Sequence, residues 1–245
     1  MGKRIIGILI FCVGLLGLFS YTRFAEGGHE PSFKFVRTNC RLYDRAGNLL
    51  FSFDNYYMCD FKSDGSFVAA NPNTDELAYY DKNNNLIWHS NENAHHDITF
   101  SSDEKFINTI NSEFINRNGT RIRSDCFVVR NLENVITKKW CLSDHLNELR
   151  DLGFNTDRAF DVFKENKSKL VNVVLEISHS NTFYEIPDNI LGQTDPVFKK
   201  GNYIVNLYAP LSLSLVLDSE MKHILWHKTF CVNVNDKFSV MMATH

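Results

Sequence analysis

A hairpin pattern that recurs along the chain constrains the fold more than any other feature. Each copy has an apolar strand, a turn, and a second apolar strand that ends in an aromatic residue. Residues 42–51 read LYDRAGNLLF and residues 79–88 read YYDKNNNLIW, and two later copies end at Trp140 and Trp226. Gly and Asn in the turns adopt the positive φ that tight hairpins need. The pattern therefore predicts antiparallel hairpins.

The spacing of these hairpins indicates a larger repeat. The terminal aromatic residues are 37 residues apart (51 to 88), then 52 (88 to 140), then 86 (140 to 226). Four short strands with their turns take about 40 to 50 residues, which is the period of propeller blades. The most complete unit covers residues 178–226. The last interval is longer than one unit, so we expect it to contain an insertion.

Helical spacing marks this insertion. Asp144 can cap a helix that Gly153 ends, and Asp157 can begin a second one. We therefore place a helical insertion at about residues 143–166, either as a cover on one end of a sheet, which we favour, or as a gating lid. The apolar positions at helical intervals are Leu146, Leu149, Leu152, Phe160 and Phe163.

The first 28 residues differ in composition from the rest. Lys3 and Arg4 precede an uncharged apolar run from Ile5 to Phe19. Such a run fits a signal peptide or a signal anchor, and the lack of a small-residue cleavage site favours the uncleaved anchor. Basic flanks stay in the cytoplasm. We therefore expect residues 29–245 to be exported, either on a single-pass anchor in the inner or plasma membrane or, after cleavage, free in the periplasm.

The charge balance argues against a nucleic-acid partner. The chain has a formal net charge of −3, and the N-terminal 28 residues contain three of its 26 basic residues. The exported part is therefore more acidic than the whole, and it offers no basic footprint for phosphates.

The cysteines leave two interpretations open. An exported protein can form a disulfide, but we favour mostly buried free thiols. No CxxC pair and no Cys near a His at ligand spacing occurs, so we expect no metal site. The cysteines outside the apolar segment are Cys40, Cys59, Cys126, Cys141 and Cys231.

Three groups of residues carry a resemblance to a known family. The first is HHD at residues 95–97, which follows a Trp hairpin. The second combines Asp125 with WCLSDHL at residues 140–146. The third is HSN at residues 179–181, followed by DPVFKKGN at residues 195–202. In order and spacing these groups resemble the arylsulfotransferases, bacterial exported β-propellers, over roughly residues 42–226.

The resemblance implies transfer of a sulfuryl group from a phenolic sulfate donor to a phenol acceptor through a histidine, without a cofactor. It makes His179 and His96 candidate catalytic residues, because a neutral imidazole can attack sulfur. It makes Asn181 and His95 candidate substrate-binding residues that donate to sulfate oxygens. Alternation along a strand would direct His179 and Asn181 to the same face.

The chain also departs from the family pattern. Family members have an arginine shortly after the Gly-Asn strand, and the aligned substrate-binding position here is Tyr208, which lacks a guanidinium. The family's covalent nucleophile lies in a later blade that has no counterpart before His245. We therefore expect a truncated or divergent member, and an active enzyme and an inactive descendant both stay open.

These observations predict an all-β fold with a small helical insertion. We expect an incomplete β-propeller of about four four-stranded antiparallel blades, preceded by an N-terminal apolar helix. An incomplete propeller has an open edge, where a protein partner could bind. The alternative function is that of a non-catalytic exported β-propeller, an interaction or scaffold module in which the histidines only hold the blade openings together.

Overall fold

A computed structural model describes seven segments of the chain, namely residues 33–36, 40–44, 46–53, 56–117, 119–156, 175–208 and 212–229. The predicted signal or anchor segment, residues 1–28, lies outside them. None of the helices in these segments has the length and apolar character needed to span a membrane.

A small unit contains three antiparallel strands. They are β1 (Phe33–Val36), β2 (Arg41–Asp44) and β3 (Leu49–Ser52), in the order β1-β2-β3. Strands β2 and β3 form the first predicted hairpin, and Leu42 is the partner of Phe51. Gly47 in its turn has a φ of 86°, as the hairpin pattern requires.

A larger unit, which includes Cys40 and continues from Phe53, contains three four-stranded antiparallel sheets, each joined in chain order. The first sheet consists of β4 (Met58–Phe61), β5 (Phe67–Asn71), β6 (Glu76–Tyr80) and β7 (Leu86–Asn91). The middle sheet consists of β8 (Ala94–Phe100), β9 (Phe106–Arg117), β10 (Thr120–Asn131) and β11 (Ile136–Cys141). The last sheet consists of β13 (Ser180–Glu185), β14 (Tyr203–Leu207), β15 (Leu213–Leu217) and β16 (Ile224–Thr229). Three of the roughly four predicted four-stranded units are thus confirmed, and no closed propeller is formed within the described segments.

The final hairpins of the three sheets share a turn built on one Asx side chain. Asn131 Oδ1 accepts hydrogen bonds from the backbone N–H groups of Glu133 and Val135, at 3.1 and 2.8 Å. Asp81 and Asp218 play the same part in the other two turns. These side chains mimic a backbone turn, so the geometry follows from the local sequence.

The aromatic residues that end the hairpins have equivalent positions in the sheets. Trp88 pairs with Tyr79, Trp140 with Phe127, and Trp226 with Val216. In the hairpins of Trp88 and Trp226 a β-bulge follows that pair directly. A bulge at the same place in repeated hairpins increases the strand twist at the same place.

The middle sheet packs against both of its neighbours. Val68, Leu77 and Phe100 belong to one apolar cluster shared with the first sheet, and Phe127 and Leu215 belong to another shared with the last sheet. The first strands of the three sheets are also neighbours, since β8 contacts both β4 and β13. The opening residues of β8 and β13 therefore come together.

The hairpin of β9 and β10 extends beyond the rest of its sheet. β11 pairs with β10 only as far as Cys126, and β8 pairs with β9 only as far as Asn111. The free part of β10 pairs in parallel with a short strand, β12 (Leu175–Glu176). The chain therefore passes along the edge of the middle sheet before it enters the last sheet.

A short helical segment follows Trp140, as the spacing predicts. A 3₁₀ turn over Leu142–His145 continues into α1 (Leu146–Asp151), which ends before Gly153 at a φ of 92°. Asp144 is not the N-cap we predicted, because it lies inside the 3₁₀ turn. The second predicted helix, from Asp157, lies outside the described residues. A second short helix, α2 (Ile190–Thr194), lies between β13 and β14.

One disulfide ties the middle sheet together. Cys126 on β10 and Cys141 on β11 are direct cross-strand partners and are bonded to each other. Our preference for free thiols was wrong for this pair, because the hairpin register brings their side chains face to face. It was right for Cys40 and Cys59, which are buried and free.

Candidate functional site

The site begins at an irregularity at the start of β8. Ala94 pairs with Asn111 and Ile98 pairs with Thr109, so four steps along β8 match two steps along β9. The extra residues include His95 and His96, and His96 has a φ of 62°. A bulky residue at positive φ is uncommon and is found where surrounding structure holds it in place. The bulge therefore redirects two adjacent histidines.

Asp125 lies at the centre of the site. It is fully buried on β10, and its Oδ2 accepts hydrogen bonds from Ser178 Oγ at 2.7 Å and from the Ser180 backbone N–H at 2.9 Å. Its Oδ1 lies 3.0 Å from His95 Nε2. Burial raises the pKa of the Asp125 carboxyl, and the hydrogen bonds from the two serines oppose that rise. The buried Asp125 carboxylate thus has three hydrogen-bonding partners, namely Ser178, Ser180 and His95. It links the start of β8 to the residues that lead into β13.

His95 is held in one tautomer. Asp125 Oδ1 lies at Nε2, and the two serines donate to the other carboxylate oxygen. Because the carboxylate therefore acts as the acceptor at Nε2, we assign the proton of the neutral ring to Nε2. Burial, with the nearby positive charges of His96, Arg123 and His179, lowers the pKa of His95 to about 2. His95 is only 6% exposed, and its Nδ1 is buried without a hydrogen-bond partner among the described residues. That nitrogen keeps an unused lone pair.

His179 is oriented by a carboxylate and a guanidinium. Its Nδ1 lies 2.8 Å from Glu176 Oε2, and the other oxygen of Glu176 accepts a hydrogen bond from Arg123 Nη2. A carboxylate at Nδ1 fixes the proton there and leaves the Nε2 lone pair open. Arg123 uses that single contact, since its buried Nε has no partner among the described residues. The Nη donors that Glu176 does not use are available to an anion.

His96 joins the two halves of the site. Its ring contacts that of His179 edge to face at a centroid distance of 4.3 Å, and that of His95 at 4.9 Å. Although His96 keeps an exposed surface, partial desolvation and the positive charges of His179 and Arg123 lower its pKa to about 4. At neutral pH His96 is therefore an uncharged base whose ring contacts that of His179.

The three predicted histidines thus lie together, whereas the side chains of the other two predicted residues show no contact with a histidine ring within the described segments. Asn181 is exposed in a bulge of β13, where the register shifts between Ser180 and Thr182. Simple alternation therefore does not relate its side chain to that of His179, which precedes the strand. The backbone N–H of Tyr208 donates to the His179 carbonyl at 3.2 Å, and the exposed Tyr208 side chain lies at the end of β14.

Sequence reasoning did not select Arg123, Glu176 or Ser178 for the site. Arg123 and Glu176 are 53 residues apart, and they meet through the parallel pairing of β10 with β12. No hairpin pattern in the sequence predicts that parallel pairing. The one available signal is the alternation of Arg121, Arg123 and Asp125, which places three charged residues on one face of β10.

A metal is not an obvious occupant of this cluster. Among the described residues, the one group of side chains close enough to share an ion is Glu113 with Cys126 and Cys141, and those two thiols are bonded to each other. The histidine cluster instead presents open lone pairs next to a guanidinium, which suits an anionic substrate.

Comparison with known proteins finds no matching family model and no matching curated relative. The order of the motifs in the sequence and the geometry of the histidine cluster are therefore the two observations that bear on function.

Proposed function

We propose that the protein transfers a sulfuryl group between phenols on an arylsulfotransferase-like partial β-propeller of about four blades. The observation that supports this most strongly is the arrangement around His179. Glu176 holds Nδ1 and leaves Nε2 open, the ring of His96 contacts that of His179, and Arg123 donates to the other oxygen of Glu176. The arrangement combines an oriented nucleophile, an anion-binding group and a neutral base.

In the first half-reaction, the His179 Nε2 lone pair attacks the sulfur of an aryl sulfate ester. An N–S bond forms as the bond from sulfur to the phenolic oxygen breaks, and the phenolate leaves and takes a proton from solvent. Arg123 donates to the sulfate oxygens as charge redistributes. Glu176 stabilises the positive charge that His179 gains.

In the second half-reaction, His96 accepts the proton of the phenol acceptor. The phenolic oxygen attacks sulfur, the N–S bond breaks, and His179 returns to its neutral form. Because the pKa of His96 is lowered to about 4, the ring then releases its proton to solvent at neutral pH. The net change is exchange of the sulfuryl group between two phenols.

The direct test is turnover of 4-nitrophenyl sulfate with a phenol acceptor, followed by nitrophenolate absorbance. We expect His179→Ala to abolish transfer and Glu176→Gln to reduce it by about 100-fold, as expected for loss of a group that orients a catalytic histidine. His89→Ala is the matched control, because His89 is an exposed histidine on the outer strand β7. It should leave turnover unchanged.

The outcome also separates the two functions that the sequence left open. Folded wild-type protein that transfers no sulfuryl group from a range of aryl sulfates would favour the non-catalytic scaffold. Turnover that survives His179→Ala would assign the chemistry to another residue.

We also propose that the body of the protein is exported. The Cys126–Cys141 disulfide supports this, because disulfides persist in oxidising compartments and are rare in the cytoplasm. Thiol alkylation of intact cells, with and without prior reduction, tests it. Protection of both cysteines without reductant is expected, and labelling of both under that condition would contradict export.

A further inference from the structure

The extended hairpin of β9 and β10 places a second cation on the same face as the histidine site. Arg121, Arg123 and Asp125 are at alternate positions of β10, so their side chains share one face. Asp125 is buried, the Arg123 side chain is 24% exposed, and Arg121 is exposed. The three residues form a path from the centre of the site to solvent.

An aromatic ring on the neighbouring strand lies beside this path. Phe114 on β9 is the cross-strand partner of Arg123, and the Arg121 guanidinium lies 3.8 Å from the centroid of the Phe114 ring. Phe114 is 41% exposed. The ring therefore lies across the strand pair from Arg123, and the Arg121 guanidinium covers it from the diagonal position.

The Arg121 guanidinium is held in position but has no anionic partner among the described residues. No carboxylate pairs with it in the described part of the chain, and its contact is the ring of Phe114. Stacking on a ring orients the planar guanidinium and leaves its edge donors available. Two residues along a strand span about 6.5 Å. This separation of the two arginines matches the distance between two acidic substituents on one aromatic ring system.

We propose that Arg121 and Phe114 form a subsite for a second anionic group, so that the preferred substrates are aryl sulfates that carry a further carboxylate or sulfonate. This inference rests on the proposed function, in which Arg123 binds the sulfate that is transferred. Phe114 contacts the aromatic ring, and Arg121 selects the acidic substituent at its far end.

The test is binding of two sulfonates by titration calorimetry on the full-length chain. Benzene-1,3-disulfonate and benzenesulfonate mimic the substrates, but the sulfur is bonded to carbon and cannot be transferred. We expect the wild-type protein to bind the disulfonate about five-fold more tightly, the size of one extra partly exposed charge contact. In Arg121→Gln the two affinities should become equal, whereas in Arg121→Lys part of the preference should remain.

The control is Lys82→Gln, which removes one exposed positive charge from the turn after β6 and should keep the five-fold preference. Melting curves of each variant check the fold, and the exposure of Arg121 makes it a safe position to change. Equal affinities in the wild-type protein, no binding of either sulfonate, or an unchanged preference in Arg121→Gln would each overturn the subsite.

The binding experiment and the turnover assay can reject their two proposals independently of each other. A five-fold preference that depends on Arg121, with no turnover of any aryl sulfate, would keep the subsite and reject sulfuryl transfer. Turnover that depends on His179, with no preference for the disulfonate, would keep the transfer and reject the subsite.

Discussion

The two ends of the middle sheet both contain residues at positive φ, but the causes differ. At the turn end, Asn134 has a φ of 65°, and Asn84 in the equivalent turn of the first sheet has 67°. Asn tolerates this conformation, and neighbouring Asx side chains supply the hydrogen bonds. At the histidine end, His96 has a φ of 62°. Histidine has no comparable local reason to adopt it.

Local sequence specifies the conformation of the turn, whereas the tertiary structure imposes the conformation of His96. The turn of residues 131–135 is closed by its own side chain and backbone. The start of β8 is instead held by Asp125 through His95, and by Asp97, whose Oδ2 accepts from the Phe183 backbone N–H at 3.2 Å. Conformations imposed in this way concentrate at functional sites.

The largest expected difference concerns the buried acceptors at the two ends. Asp125→Ala should lower the free energy of unfolding by about 3 to 5 kcal/mol, because it leaves three buried donors without an acceptor. Asn131→Ala should cost about 1 kcal/mol, since the freed turn N–H groups reach water. Urea denaturation of both variants measures the difference. Equal losses would contradict the central role of Asp125.

The next effect is a dependence of stability on pH that originates at the histidine end. The folded-state pKa of His95 is about 2, below its unfolded value, so the unfolded chain binds more protons between these values. Stability should therefore fall as the pH drops below about 6.5, by about 1.4 kcal/mol per pH unit for this one group.

Replacing His95 isolates that contribution. His95→Gln should flatten the curve of unfolding free energy between pH 7 and pH 5 relative to the wild-type protein, while His89→Ala, which changes an exposed histidine, should not. An unchanged slope in His95→Gln would show that His95 titrates normally.

The smallest effect concerns the backbone itself. His96→Gly should raise the free energy of unfolding by about 0.5 kcal/mol, because relief of the left-handed conformation slightly exceeds the entropic cost of glycine. Asn84→Gly should change it by a few tenths of a kcal/mol or less, since Asn already tolerates that φ. Paired denaturation curves compare the two. A clear loss of stability in His96→Gly would mean that its ring contacts stabilise the fold more than its backbone destabilises it.

Much of the fold could be predicted from the sequence because its signals are local. The hairpins that end at Trp88, Trp140 and Trp226 follow from apolar alternation around Asx turns, and the helix after Trp140 follows from helical spacing. Repetition of this hairpin pattern predicted repeated four-stranded sheets, and the described segments contain three of them. The same reasoning missed the Cys126–Cys141 disulfide, because it depends on the register of one hairpin.

The site was less predictable because distant pairings build it. The motifs selected the three histidines, which the fold does bring together. They did not select Arg123 and Glu176, whose meeting needs the parallel pairing of β10 and β12. The motifs offered Tyr208, which has no guanidinium, and the arginine of the histidine site is Arg123, from a different sheet.

The most direct measurement is mass spectrometry of peptides from protein that has been mixed with an aryl sulfate donor, without acceptor, and quenched in alkali to preserve a histidine–sulfur bond. We expect a sulfated peptide with the modification on His179 that disappears when a phenol is added. A sulfated residue elsewhere, or no sulfated peptide from protein that turns over the donor, would contradict it.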